Sequence, residues 1–141
     1  MIKNKQTLIE KSSIRILIAE NDDMYHMILK VMLKEYQQER AISGQEVLDK
    51  VRDNYFDLVL MDVHRPETNG LEATREIREF NKEIPIIILT TDMYAVHYTK
   101  AIEAGCNEYI AKPFAEKELM KVIDRIVTEK VCKSAVQPSV I

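Results

Sequence analysis

Five residues at four widely separated places carry the functional groups of an anion site: Glu20 with Asn21, Asp62, Thr90 and Lys112. Carboxylates are hard oxygen ligands for a divalent cation such as Mg²⁺. An ammonium and a hydroxyl suit phosphoryl oxygens. A carboxylate can also accept the phosphoryl group itself and become an aspartyl phosphate. Taken singly, each has a plainer role: Asp62 as a turn acid, Lys112 as a solvated lysine, Thr90 as a strand-end residue and Asn21 as a helix cap. The chemistry exists only if the fold gathers them.

The elements that would gather them are legible as apolar runs. Phe56-Asp57-Leu58-Val59-Leu60-Met61 reads as a strand buried on both faces, with Asp62 just after it where the strand runs out and a turn forced by Pro66 and Asn69-Gly70. Ile14 to Ala19 and Ile84 to Leu89 have the same character, and Glu108 to Ala111 is a shorter copy. Gln38 to Ile42 is more polar and reads as an edge strand. Between the strands, apolar residues recur at helical spacing: Tyr25, Ile28, Leu29, Met32 and Leu33; Val47, Leu48 and Val51; Leu71, Thr74 and Ile77; then Tyr94 to Ala104, stopped by Gly105. The last helix, from about Ala115, carries Leu119, Val122, Ile123, Ile126 and Val127. Five alternations with short connections predict an α/β domain, its parallel sheet covered by helices on both faces. In such a sheet the residues just after the strands meet at one rim, where open α/β folds place their sites.

Composition narrows the classes. With 20 Lys and Arg against 23 Asp and Glu, the net charge of −3 provides no basic footprint for direct nucleic-acid binding. Hydrophobic residues at 46% and charged residues at 30% are ordinary for a folded, soluble domain. No apolar run has the length of a membrane helix, and the first residues lack the apolar centre of a signal peptide. Cys106 and Cys132 form no CxxC, so two free thiols point to a reducing, cytoplasmic setting. His26, His64 and His97 lack zinc-site spacing and read as exposed, and Met24, Met27 and Met32 read as core filling.

The motifs in combination resemble the response-regulator receiver domain of two-component signalling. They are the acidic turn after Ile16-Leu17-Ile18-Ala19; Asp57 to Asp62 with Pro66 and Gly70-Leu71-Glu72-Ala73-Thr74; Ile86 to Thr90; Glu103-Ala104-Gly105; and Tyr109-Ile110-Ala111-Lys112-Pro113. The resemblance runs from about Ile14 to Val127 and implies a flavodoxin-like sheet of order 2-1-3-4-5. It implies that Asp62 is the phosphoacceptor, that Glu20, Asn21, Asp62 and the His64 backbone carbonyl hold Mg²⁺, and that Thr90 and Lys112 bond phosphoryl oxygens. Thr90 and Tyr109 would be the switch pair, and Lys112-Pro113 would be cis. The implied partners are a histidine kinase or phosphotransfer protein as donor and a downstream effector as reader, with no membrane. The domain would be no enzyme beyond catalysing its own phosphorylation and dephosphorylation.

The sequence also departs from that pattern. Asn21 stands where the family most often has a second acid, so Mg²⁺ is expected to bind more weakly. Thr91 replaces a smaller residue, Arg65 an apolar one, and His64 with Asp92 occupies variable positions that tune water access. The alternative is a pseudo-receiver acting as a phosphorylation-independent interaction module. A flavin-binding flavodoxin-like protein is disfavoured, because Glu20-Asn21-Asp22-Asp23 would repel a phosphate. The expected division is an arm or linker over 1–13, the receiver over 14–130 and a tail over 131–141. With no output domain after the last helix, the expected setting is a free-standing regulator or a piece of a larger protein such as a hybrid histidine kinase, towards which Gly70-Leu71-Glu72-Ala73-Thr74-Arg75 leans.

Overall fold

A computed structural model describes residues 10–63, 69–91 and 95–136. Among the described residues, a short 3-10 helix (Lys11–Ser13) precedes five strands that alternate with five α-helices: β1 (Arg15–Ala19), α1 (Asp23–Met32), β2 (Gln37–Ala41), α2 (Gly44–Asp53), β3 (Leu58–Val63), α3 (Asn69–Phe80), β4 (Ile86–Thr90), α4 (Ala95–Ala104), β5 (Glu108–Ala111) and α5 (Glu116–Val136). The strands pair in parallel in the order β2-β1-β3-β4-β5, with polar β2 at the edge as its composition predicts.

The alternation of side chains along each strand divides the core in two. Leu17, Val59, Met61, Ile86 and Ile88 face the layer that carries Val47, Val51, Leu71 and Ile77 of α2 and α3. Ile16, Ile18, Leu58, Leu60, Ile87 and Leu89 face Leu29 and Leu33 of the α1 segment and Leu119 and Ile123 of α5. Every residue of β4 is buried, as a strand covered on both faces requires. Because strand order reverses between β1 and β3, the crossovers leave these two strands on opposite sides, and a crevice opens beyond their carboxyl ends.

Several boundaries differ from the sequence expectation. β4 begins at Ile86 rather than Ile84. Pro85 has no N–H to give a ladder, and the Ile84 N–H is taken by Asn81 Oδ1 at 3.0 Å. α1 presents Met24, Met27, Ile28 and Val31 to solvent, so Met24 and Met27 are not core filling and Ile28 is not on the buried stripe. Thr90 and Asp62 lie inside their strands, not after them. α5 continues to Val136, so the boundary expected at 130 falls within a helix. The arm at 1–9, the tip of the tail at 137–141, and His64, Arg65, Asp92 and Tyr94 lie outside the described residues.

Candidate functional site

The acidic turn is built from β1, β2 and the start of α1. Glu20 follows the last residue of β1, and its N–H donates to the Ala41 carbonyl at 3.0 Å, which extends the ladder by one bond. Its own carbonyl accepts from Arg40 Nε at 2.9 Å, and the same guanidinium pairs with Asp23 at 2.9 Å. Asp22 caps α1, its Oδ1 accepting from the N–H groups of Met24 at 2.8 Å and Tyr25 at 3.2 Å. The cap is therefore Asp22 and not Asn21, which is exposed. The Asp22 N–H in turn donates to Glu20 Oε2 at 2.7 Å and points that carboxylate inward.

The other side is built by strand register. Asp62 sits opposite Leu89, Thr90 opposite Ala111, and Lys112 directly follows Ala111. The Lys112 N–H donates to the Thr90 carbonyl at 2.7 Å, and the Lys112-Pro113 peptide is cis. The Lys112 ammonium makes a direct ion pair with Asp62 Oδ1 and stands 4.0 Å from Glu20 Oε1. The side chains are sealed: 3% of Lys112 is exposed and none of Glu20 or Asp62. Thr90 is buried beside them in the same rim.

Burial pushes the Asp62 carboxyl up to about 8, with Glu20 adding to the rise and the Lys112 ammonium opposing it. The physical content is a deficit of positive charge: two desolvated acids share one ammonium. Both Asp62 oxygens are buried without an ordinary hydrogen-bond donor among the described residues. A divalent cation fits that demand. Among the described residues no three His, Cys, Asp or Glu side chains cluster to hold a metal, so protein carboxylates would give such a cation only part of its oxygen shell. Mg²⁺ is commonly held this way, by one or two carboxylates with water completing the octahedron.

Tyr109 is half-buried on β5, with its ring edge-on to Tyr98 of α4, centroids 5.4 Å apart at 89°. Two residues missed by the sequence reading border the site. Arg40 braces the acidic turn; its signal was a cation near the end of an edge strand. Tyr25, read only as part of a helical stripe, lies with its ring 3.9 Å from the Lys112 ammonium and 6.5 Å from the ring of Phe114. Burial, then the charges of Asp62 and Glu20, push the Tyr25 hydroxyl above its usual range.

Residues 16–124 match the family described as Response regulator receiver domain. Over 109 residues the chain is 38% identical to the autoinducer 2 sensor kinase/phosphatase LuxQ of Vibrio vulnificus, covering 75% of this chain but 13% of that protein. A CheY-like receiver domain protein of Methanospirillum hungatei shares the fold with a TM-score of 0.78 at 24% identity, covering 85% of this chain and 98% of that one. The receiver domain of the sensor histidine kinase PA1611 of Pseudomonas aeruginosa, solved with magnesium coordinated in its active-site cleft, has a TM-score of 0.73 at 30% identity, over 80% and 96% of the two chains. No helix among the described residues is long and apolar enough to cross a membrane.

Proposed function

Because the chain belongs to the response regulator receiver domain family, we propose that Asp62 takes a phosphoryl group from a phosphohistidine and that the domain works as a switch in a two-component phosphorelay. The supporting observation is the buried triad: the Asp62 carboxyl faces the Lys112 ammonium, with the Glu20 carboxylate 4.0 Å from that ammonium.

In the transfer, one Asp62 oxygen attacks phosphorus in line with the phosphorus–nitrogen bond of the donor imidazole. The new phosphorus–oxygen bond forms as that bond breaks, and the nitrogen keeps the electron pair and takes up a proton. Lys112 and Thr90 meet the phosphoryl oxygens and hold the charge that spreads over them. Glu20 and Asp62, with the Asn21 amide oxygen and the His64 carbonyl, would hold Mg²⁺, which supplies further neutralisation when bound. Since the sealed site excludes bulk water, these charges act at higher strength than at the surface. Catalysis is confined to this domain's own phosphorylation and dephosphorylation.

The aspartyl phosphate then draws Thr90 inward and Tyr109 with it, and the face formed by α4, β5 and α5 changes shape for an effector protein or domain. The donor is a histidine kinase or phosphotransfer protein, and the setting is the cytoplasm. The receiver unit begins near residue 14 and is closed by α5.

Incubation with acetyl phosphate and Mg²⁺ followed by intact-mass measurement is expected to show one added phosphoryl group, absent in Asp62→Asn. No adduct on the wild type would favour the pseudo-receiver, with Asn21 as the cause. An adduct that survives Asp62→Asn would remove Asp62 as acceptor.

A further inference from the structure

Lys112 carries a buried ammonium whose surroundings are unequal. Asp62 lies against it, Glu20 stands 4.0 Å away, and the Tyr25 ring lies 3.9 Å from it. Among the described residues the ammonium has no hydrogen bond of ordinary geometry, and only 3% of the side chain reaches solvent. An ammonium has three N–H bonds to satisfy. The π face of Tyr25 covers part of the ammonium surface that the two acids leave. A cation over an aromatic face is attracted by the ring quadrupole, and more strongly when desolvated.

The ring is itself fixed. Its backbone N–H is bonded to the Asp22 cap, whose own N–H holds Glu20. Phe114, two residues beyond Lys112, packs against it at 6.5 Å. The cap that aims one acid therefore also holds the backbone that carries the ring, and through the ring the turn after β1 meets Lys112 and Phe114 at the end of β5 and the loop after it.

We propose that Tyr25 is a positioning residue for Lys112: its ring face confines the ammonium to the arc facing Asp62, where the phosphoryl oxygens arrive. This rests on the phosphoacceptor reading above. Tyr25 touches no reacting atom and acts through the lysine. The ring, not the hydroxyl, carries the effect.

The experiment compares wild type, Tyr25→Phe and Tyr25→Leu. Leucine is apolar and a good helix former, so α1 keeps its packing while the π face is lost. In the ¹H–¹³C spectrum, the Lys112 ε-methylene is expected to be shifted upfield by the ring in wild type and Tyr25→Phe, and to move towards the free-lysine position in Tyr25→Leu. The rate of phosphorylation by acetyl phosphate with Mg²⁺ is expected to fall about tenfold in Tyr25→Leu and to be largely retained in Tyr25→Phe. A phosphorylated wild type whose leucine variant keeps both the shift and the rate overturns this proposal alone. A leucine variant that loses the shift but keeps the rate overturns it equally. A wild type that accepts no phosphoryl group overturns the phosphoacceptor reading and this proposal with it.

Discussion

Lys112 and Glu20 bury opposite charges 4.0 Å apart, with 3% and 0% of their side chains exposed. Asp62 shares the same ammonium, so removing the lysine strands two acids. Breaking a buried ion pair by deleting one partner typically costs several kcal/mol. Lys112→Met is expected to destabilise the domain by about 3 kcal/mol near pH 8.5, and by clearly less near pH 5, where Asp62 can hold a proton. Urea unfolding at the two pH values measures the difference. Equal losses would mean that the ammonium does not balance these acids.

Asp62 sets a pH dependence of definite sign. Its carboxyl binds a proton more tightly in the folded state, at about 8 against an ordinary 3.8. Between those values the folded chain holds more protons than the unfolded one, so stability is present below the window and falls as pH rises through it. Asp62→Asn is expected to flatten the slope and to raise the urea midpoint near pH 8. Added Mg²⁺ is expected to stabilise the wild type more near pH 8 than near pH 5. An Asp62→Asn profile parallel to wild type would contradict this account.

Asn21 is exposed at the mouth of the acidic turn and brings no charge. Cation affinity in oxygen-ligand sites rises with the number of charged ligands. Asn21→Asp is expected to tighten Mg²⁺ binding by about tenfold, read by calorimetric titration. If affinity does not change, residue 21 lies outside the cation site.

Arg78 fills the space next to Gly105. A Cβ at Gly105 would stand 2.7 Å from Arg78 Cγ, and the glycine has φ 112°. The guanidinium bonds the Gly105 carbonyl at 2.9 Å, the Asn81 carbonyl at 3.0 Å and Asn107 Oδ1 at 3.0 Å, which ties the end of α3 to the turn before β5. Gly105→Ala is expected to cost about 2 kcal/mol from backbone strain and crowding. Arg78→Ala is expected to cost about 2 kcal/mol from lost hydrogen bonds. The double variant should lose less than the sum, because the smaller side chain relieves the contact. Strict additivity in thermal unfolding would show that the two residues do not interact.

β3 shows how far the sequence can be read and where it stops. Its apolar run predicts a doubly covered central strand, because only a strand with helices on both faces needs alternate residues equally hydrophobic. The same logic places β4 and the polar edge strand β2, and parallel connectivity alone brings Glu20, Thr90 and Lys112 to the rim beside Asp62. The two aspartates flanking that run are the same residue type, yet the fold treats them oppositely. Asp57 accepts the Arg15 N–H at 2.8 Å and pairs with Lys130 at 3.4 Å, so it is a satisfied structural acid. Asp62 is sealed with a charge it shares. Nothing in the local pattern separates them, since burial and charge balance depend on partners dozens of residues away. The same holds for Tyr25, whose helical spacing announces an amphipathic face but not the loop that meets it. Periodicity reports which elements form and which faces they bury, because each residue contributes its own share of hydrophobic burial. Which charges are left to balance one another is a pairwise property, and tertiary packing alone creates the pairs.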